Sequence, residues 1–571
     1  MNRSLLFSLC ALLLLGAFAS CQNASAPPDT IPAEINAVSD WGITPGPGNG
    51  KANSLILAEK LHTITDNTDV LFPEGLYEIA FPMYLLQKSG VRIIGQNATI
   101  LRTDVTNTSA SQAPMDDPDI PEDIRPYTAS SSIFVIDGCQ NVCVQGFTFK
   151  YDIPSSLSGT VLSMEGDSVV LEITDTTQFT GEEYVTIINT FTKNGVPDKK
   201  LEQYAATNFP AQKLSDNTLR VTGLDPGGVS RLSKGTRVCL RLATASDYVI
   251  MVSGSKDLTF SDLTMHNSLN GGIFVGNRCE NVTLSSVTVK PESELSLMSL
   301  NADILHISAL GGSLLVKDCI FERPGDDCVN VHDMAYVVDS VKDDSATVSA
   351  PRFSFSSTWA KPGDVIEFFD GETFACLGSA TVTATLDNTY TFDELPDGVT
   401  AGTVISNKTM HPAVTIQNTT VQSNRARGFL LQTENAVVEN CTFKDTALAA
   451  ILLAPDLEYW YEMSPSKNII IRNNTFENCG EYASGIIQIA TNHDSPAMTY
   501  PSYVHQDIVI QNNTFSSGCR TALFGVCIDT LTFTDNDFSG FKGKYAFLRY
   551  CTNVTLDEQT RENSSLTNVT E

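Results

Sequence analysis

The amino-acid sequence predicts an all-β fold, a right-handed parallel β-helix with two small antiparallel β-barrels inserted between its coils. Three observations lead to this prediction. A short motif recurs from residue 130 onward, two long segments interrupt its rhythm, and both segments alternate apolar and polar residues as β-strands do.

The recurring motif is an apolar alternation followed by Asn or Asp, a small residue, and Phe or a substitute. Examples are VQGFTF (144–149), VKDCIF (316–321), VENCTF (438–443), IRNNTF (471–476) and IQNNTF (510–515). The most closely spaced copies end at positions 421 and 443 and at positions 515 and 538. Such an interval is the length of one β-helix coil, and coils bury their apolar faces by stacking on one another. We therefore interpret the asparagines of the NxT triplets as turn residues and not as glycosylation sites.

The N-terminal segment reads as an export signal. Residues 1–21 contain one arginine, a short apolar stretch and small residues before Cys21. Phe18-Ala19-Ser20-Cys21 resembles a bacterial lipobox, so we expect Cys21 to be lipidated and residues 22–38 to form a tether. This predicts an exported protein held by a lipid anchor on the periplasmic side or at the cell surface. An ordinary signal peptide that contains a cysteine is the alternative.

The coils are assigned to residues 39–157, 243–332 and 409–555, with a C-terminal tail at 556–571. A short helix near residues 53–64 is expected to cap the open end of the first coil.

Residues 158–242 and 333–408 interrupt the coils and resemble each other. LSDNTLRV (214–221) matches TLDNTYTF (385–392), and both segments contain hairpin turn signals. We interpret them as two copies of an inserted β-barrel, since unstructured loops of this length are rare in compact proteins.

Composition limits the partners. A formal net charge of −30 gives no basic surface for phosphates, so nucleic acid is not expected as a partner. The 14 cysteines lie largely within the strand motifs, as Cys319, Cys441 and Cys479 do, and are expected to be packed thiols. No zinc-ligand spacing occurs, and neither a metal nor another cofactor is expected.

Two segments with acidic residues carry the candidate chemistry, NADILHIS (301–308) and PGDDCVNVH (324–332). Asp303 and Asp326 are separated by the same interval as the motif ends at 515 and 538, which predicts that they stack on successive coils with Asp327 beside them. Carboxylates gathered this closely raise the pKa of at least one member, and a retained proton serves a general acid. An acid and a base about 6.5–9.5 Å apart would give inverting glycoside hydrolysis. A calcium site or simple turn capping by the two adjacent acids are alternatives.

Other polar and aromatic residues are weaker candidates for substrate binding. Trp460 lies in a loop segment that can offer an aromatic face to a sugar, with Asp456 and Glu462 flanking it. His306 and His332 follow the acids within the same coils, where a structural role is also open. Arg425 and Arg427 lie on a later coil and can orient the acids. The candidate sugar ligands are therefore His306, His332, Arg427, Asp456, Trp460 and Glu462.

The acidic motifs resemble those of known glycosidases. Asn301-Ala302-Asp303 and Gly325-Asp326-Asp327-Cys328 are similar to the NTD and DD motifs of polygalacturonases. A closer resemblance, over most of the chain, is to glycoside hydrolase family 110, the exported bacterial α-1,3-galactosidases. LGGSLLVKDCIFERPGDDCVNVH, RGFLLQTENAVVENCTF and DLEYWYEMSPSKNIIIRNNTF carry it.

That resemblance implies an exo-acting, inverting α-1,3-galactosidase, active without a metal on terminal α-galactosides of blood-group-B-type and related glycans. It implies that Asp303, Asp326 and Asp327 are the catalytic acids. By analogy with polygalacturonases, Asp326 would be the proton donor, and Asp303 and Asp327 would activate water. A polygalacturonase-like hydrolase, a calcium-dependent polysaccharide lyase and a non-catalytic glycan-binding surface protein remain alternatives, and a homodimer is open.

Overall fold

A computed structural model describes residues 32–105, 118–174, 179–181, 183–242, 247–352, 355–491 and 503–570. The predicted signal peptide, the lipidation site Cys21 and residues 22–31 of the predicted tether lie outside the described residues. Within the described ranges, no helix combines the length and the apolar character needed to cross a lipid bilayer.

The main body is a parallel β-helix, which confirms the predicted fold class. Its strands form one large sheet of parallel pairings that follow three ladders along the helix axis, one strand per ladder in a typical coil. Three long strands, Arg92–Arg102, Gln140–Tyr151 and Lys544–Leu556, each take part in two of the ladders.

The shorter strands belong to one ladder each. The first ladder contains Ala33–Asn36, Thr68–Phe72, Lys256–Ser261, Cys279–Ser285, Leu310–Lys317, Ala413–Gln417, Glu434–Glu439, Ser466–Arg472, His505–Gln511 and Ile528–Thr534. The second contains Gly75–Ile79, Thr264–Met265, Thr288–Val289, Ile320–Glu322, Thr420–Gln422, Thr442–Lys444, Thr475–Glu477 and Thr514–Phe515. The third contains Met83–Leu86, Phe134–Asp137, Ile250–Ser253, Ile273–Gly276, Leu305–Ser308, Val329–His332, Phe429–Leu431, Ile451–Leu453, Ile487–Ile489, Thr521–Val526 and Ser565–Val569.

The sequence motif corresponds to stacked side chains inside the coils. Phe443 and Phe476 stack with ring centroids 5.0 Å apart, and Phe476 and Phe515 stack at 4.9 Å. Next to this stack, the side-chain amide of Asn474 donates to the side-chain oxygen of Asn513 at 3.0 Å. Each aligned position therefore buries its apolar or amide group against its copy on the next coil, which explains why the motif repeats.

The helices are short and peripheral. The helix Gly50–Thr63 buries Leu57 and Leu61 against the first coils, close to the expected cap. The other helical turns in the described part of the chain are Arg125–Ala129, Pro226–Val229, Lys408–Met410 and Glu558–Glu562.

The first insertion is an antiparallel half-barrel. Its seven strands are Ser156–Glu165, Ser168–Ile173, Val185–Phe191, Pro197–Phe209, Ala211–Ser215, Thr218–Val221 and Arg237–Leu242. They form one sheet whose end strands, Pro197–Phe209 and Ala211–Ser215, do not pair with each other among the described residues. The sheet therefore stays open along one edge, and this predicted barrel is a half-barrel.

The second insertion is a closed antiparallel barrel. Its six strands are Tyr336–Lys342, Ser345–Ser349, Val365–Phe369, Cys376–Leu386, Thr389–Phe392 and Val404–Asn407. It has its own apolar core around Trp359, Phe368 and Tyr390. The barrel begins directly after the coil strand Val329–His332, so it stands beside the coils that carry the candidate acids.

Candidate active site

The candidate acids lie in the turns that lead into neighbouring strands of the third ladder. Asp303 precedes Leu305–Ser308, Asp327 precedes Val329–His332, and both strands are paired in parallel. The predicted register was wrong by one residue: Leu305 pairs with Val329, so Asp303 aligns with Asp327 and not with Asp326. The backbone N–H of Asp327 donates to Asp303 Oδ1 at 3.0 Å, which fixes this alignment.

Gly325 allows the two turns to approach this closely. A Cβ atom at this position would lie 2.4 Å from the carbonyl oxygen of Asn301, closer than real Cβ contacts. The glycine before the two acids therefore has a steric cause, since the turns meet backbone to backbone there.

The three carboxyl groups converge at one end of a cavity of about 870 Å³. One oxygen of each of Asp303, Asp326 and Asp327 lies within 4.8 Å of the other two. This is closer than the separation of about 6.5–9.5 Å that the sequence argument required of an inverting acid and base. The expected separation of acid and base is therefore not found between these oxygens, which lie close enough for one water to bridge two of them.

Asp327 is the innermost of the three and is fully buried. Its carboxylate accepts three hydrogen bonds from Arg427: from the backbone N–H at 3.0 Å, from Nε at 3.1 Å and from Nη2 at 2.6 Å. Burial nevertheless raises the pKa of Asp327 to about 7, with Asp326 and Asp303 adding to the rise against the opposing charge of Arg427.

Asp326 is the most accessible member of the cluster, with 40% of its side chain exposed. Its carboxylate lies 3.9 Å from Arg425 Nη1. Burial raises the pKa of Asp326, but Arg425, Arg427 and Arg241 outweigh that effect, so the pKa is lowered. Because neighbouring carboxyl groups titrate as a pair, the proton retained near neutral pH belongs to Asp326 and Asp327 together.

A chain of hydrogen bonds leads away from Asp303. His306 Nδ1 lies 2.7 Å from Asp303 Oδ2, and His306 Nε2 lies 2.9 Å from His332 Nε2. Burial opposes a charge on His306, yet the hydrogen bond and charge of Asp303 outweigh it and raise its pKa. Burial and the proximity of His306 lower the pKa of His332. The raised pKa of His306 and the lowered pKa of His332 favour His306 as the donor and His332 as the acceptor in the bond between their Nε2 atoms.

Glu462 lines the same cavity at the His332 end of these hydrogen bonds. It is 7% exposed, and its Oε1 lies 3.5 Å from His332 Nε2. Burial raises the pKa of Glu462 to about 7. A protonated Glu462 can donate a hydrogen bond to a ligand hydroxyl and can also accept one.

Asp456 and Trp460 belong to one loop at the opening of the cavity. Asp456 Oδ1 accepts the backbone N–H groups of Glu458, Tyr459 and Trp460, at 3.1, 2.9 and 3.2 Å. Asp456 thus shapes the loop, while the exposed ring of Trp460 lines the cavity. Of the predicted sugar ligands, all six line the same cavity.

The first insertion and the chain that follows it contribute residues to the site that the sequence did not reveal. Arg241 donates to the carbonyl oxygens of Asn301 and Gly325, while Glu202 pairs with Arg425 at 2.6 Å. The Tyr248 hydroxyl lies 3.2 Å from His306 Nδ1. Only the position of Arg241 and Tyr248, just before and after the end of that insertion, could have singled them out.

The fold and the site together define the class of protein. It is a parallel β-helix in which three carboxyl groups converge in one cavity. The family model for a right-handed β-helix region matches residues 377–495. Three similar proteins, each named α-1,3-galactosidase, point further within that class.

The α-1,3-galactosidase B of Akkermansia muciniphila is 30% identical over 376 residues, which cover 61% of this chain but only 45% of that protein. Its α-1,3-galactosidase A is 29% identical over 69% of this chain and 68% of its own length. The α-1,3-galactosidase B of Bacteroides thetaiotaomicron is 26% identical over 71% of this chain and 70% of its own length. The resemblance to α-1,3-galactosidases that was inferred from the acidic motifs is confirmed by these matches.

Proposed function

We propose that this protein is an exo-acting, inverting α-1,3-galactosidase that removes terminal α-1,3-linked galactose from blood-group-B-type and linear glycans. The convergence of Asp303, Asp326 and Asp327 in one cavity carries the proposal. The names of the similar proteins supply the sugar and the linkage.

In this mechanism Asp326 delivers the proton to the departing glycosidic oxygen. It is the exposed member of the acid pair, whereas Asp327 is buried behind it and held by Arg427. The proton that the pair retains near neutral pH therefore leaves through Asp326. Proton transfer neutralises the developing negative charge on the oxygen as the bond to the anomeric carbon breaks.

Asp303 acts as the base that activates water. His306 donates to its Oδ2 and the Asp327 N–H donates to its Oδ1, which leaves one lone pair of Oδ1 for water. Asp327 is fully buried and keeps Asp303 in position for this water, since its backbone N–H donates to Asp303 Oδ1. Attack on the face opposite the leaving group yields β-galactose, which is the inverted product.

The positive side chains around the cluster also bear on the calcium alternative. Arg427 lies against Asp327 and His306 against Asp303, so two cations already balance two of the three carboxylates. A divalent ion would have to compete with both, which favours hydrolysis by side chains over a calcium-dependent lyase.

The test is incubation with blood-group-B trisaccharide and with a linear α-1,3-galactosyl disaccharide, following released galactose and its first anomer by NMR. The proposal expects β-galactose from both, unaffected by a chelator, and no cleavage of polygalacturonate. Initial α-galactose would reject inversion. Loss of activity with chelator and gain of an ultraviolet-absorbing product would favour the lyase.

We also propose that the protein is exported and anchored through lipidated Cys21. Cys21→Ser should move the protein from the membrane fraction to the soluble exported fraction, and an unchanged membrane fraction would reject the anchor.

A further inference from the structure

The opening of the cavity carries two exposed aromatic rings, which we call the aromatic rim. Tyr459 is 53% exposed and Trp460 is 43% exposed, and their ring centroids lie 4.7 Å apart in an edge-to-face arrangement. Both line the same cavity as the candidate acids. Large exposed aromatic groups cost solvation free energy, so a pair of them at a cavity opening needs an explanation.

The second insertion holds the rim in place. Arg352, a residue of that insertion, donates from Nη2 to the Tyr459 hydroxyl at 2.8 Å. Its guanidinium carbon lies 4.1 Å from the centroid of the Tyr459 ring and 5.3 Å from that of Trp460. A cation over aromatic rings gains about 0.5–1 kcal/mol at an exposed site, which is enough to favour one arrangement of the rim.

The loop beneath the rim is also fixed. Asp456 accepts the three backbone N–H groups described above, and Asp456 and Glu462 exchange backbone hydrogen bonds of 2.9 Å. The rings are therefore presented by a closed loop, and a ligand would not have to order it on binding.

Exposure increases from the base of the acid cluster to the rim. Asp303 and Asp327 are 7% and 0% exposed, Asp326 exposes 40% of its side chain, and Trp460 and Tyr459 are 43% and 53% exposed. An exo-acting enzyme places the terminal sugar at the closed end, so the rest of the substrate extends toward the opening. The volume of about 870 Å³ lies in the upper part of the range for pockets that enclose drug-sized ligands, and a single hexose does not need it.

We propose that the aromatic rim is the subsite for the sugar on the leaving-group side of the cleaved bond. The ligand is a neutral pyranose ring, whose C–H face packs on the exposed surface of Tyr459 and Trp460. Arg352 is a positioning residue. It belongs to the second insertion, holds the rings of Tyr459 and Trp460 in place, and so affects which acceptor sugar binds. This inference rests on the proposed function, because it assumes that galactose occupies the deep end.

The experiment compares two substrates that share galactose and differ in the leaving group. α-Galactosyl fluoride has no acceptor sugar, whereas the α-1,3-galactosyl disaccharide has one. Trp460→Ala and Arg352→Ala should lower kcat/KM for the disaccharide about tenfold, equivalent to about 1.4 kcal/mol, mainly through KM. Both should leave kcat/KM for the fluoride and inhibition by galactose within about twofold of the wild type.

Controls separate the rim from general effects. Arg549 lies over the ring of Tyr550 at 5.7 Å and does not line the cavity, so Arg549→Ala should change neither substrate. Tyr459→Phe removes only the bond from Arg352 and should reproduce a smaller part of the Arg352→Ala effect on KM. Equal losses on fluoride and disaccharide would overturn the proposal and assign the rim to galactose, and unchanged kinetics on both would overturn it as well.

A separate measurement covers failure of the proposed function. If the wild-type protein hydrolyses neither substrate, titration calorimetry with cellobiose, a neutral disaccharide that contains no galactose, tests the rim. Saturable binding that Trp460→Ala abolishes supports the subsite, and absence of binding to the wild type overturns it.

Discussion

Arg427 and Asp327 form a buried ion pair whose strength should depend on pH. Asp327 is fully buried, and Arg427 donates three hydrogen bonds to its carboxylate. Arg427→Met keeps the backbone N–H and most of the apolar volume but removes the guanidinium. We expect this variant to be less stable than the wild type, and more so at pH 8 than at pH 5.

The magnitude follows from the pKa of Asp327, about 7 in the folded protein. At pH 5 the acid is protonated, so the change removes hydrogen bonds to a buried group, about 1–3 kcal/mol. Without the cation the pKa of Asp327 rises further. While Asp327 stays protonated in the folded state, the free energy of unfolding falls as pH rises. In the wild type this fall ends near pH 7, where Asp327 ionises in the folded protein, whereas in the variant it continues to higher pH. By pH 8 the variant has therefore lost about 1.4 kcal/mol more than the wild type.

The assay is urea unfolding at pH 5 and pH 8, followed by circular dichroism and repeated in an Asp327→Asn background. With asparagine at 327 no carboxyl titrates at that position, so the pH dependence of the Arg427→Met cost should shrink to the part that comes from Asp326 and Glu462, whose pKa values Arg427 also lowers. Arg549→Met, an arginine change outside the cavity, should change the free energy of unfolding by less than about 0.5 kcal/mol. A cost for Arg427→Met that is identical at pH 5 and pH 8 in the wild-type background would refute the reasoning.

Three further outcomes are expected. Asp333 is fully buried at the start of the second barrel with a pKa raised by burial to about 7, so its contribution to stability falls as pH rises from about 4 to 7. Asp333→Asn should therefore gain up to about 4 kcal/mol relative to the wild type across that range in urea unfolding, and a constant difference would contradict this. For the proposed hydrolysis, kcat/KM should fall above about pH 7 as the Asp326–Asp327 pair loses its proton, and a flat profile to pH 9 would exclude the pair as donor. Phe476→Ala opens a gap in the stacked phenylalanines and should lower the free energy of unfolding by about 3–5 kcal/mol in urea unfolding. Leu386→Ala, at a position that is 74% exposed, should lower it by less than about 0.5 kcal/mol in the same experiment.

The repeat of the coils was predictable because the same short sequence motif recurs along the chain. Phe443, Phe476 and Phe515 each end a copy of the motif, and each stacks on the next. The antiparallel character of the insertions was predictable for a similar reason, since alternation and hairpin turns are local features. Whether each insertion closes into a barrel was not predictable. Closure depends on whether the two end strands of the sheet pair, and in the first insertion they do not among the described residues.

The site shows the limit of reasoning from spacing. The interval between Asp303 and Asp326 suggested that these two acids stack, but this coil is one residue longer and brings Asp303 onto Asp327. One residue in a turn changes which acid is buried and which faces the cavity, and the tight spacing between motif copies elsewhere did not reveal it. The cluster was still foreseeable, because both acids occupy the same turn and either register brings them close to Asp303.

The charged residues around the acids come from the first insertion or from later coils, and they supply positive charge or contact its source. The sequence had singled out Arg425 and Arg427 but neither Arg241 nor Glu202. Arg427 neutralises Asp327 from the next coil, Arg241 at the end of the half-barrel lies over the backbone of Gly325, and Glu202 of the half-barrel holds Arg425 near Asp326. Three carboxyl groups within 4.8 Å would otherwise repel one another strongly in a buried cavity. The β-helix thus creates the spacing of the acids, while the cations, partly from outside its coils, decide which acid keeps a proton. A change in the half-barrel, such as Glu202→Gln, should therefore alter the pH dependence of activity without touching any acid of the cluster.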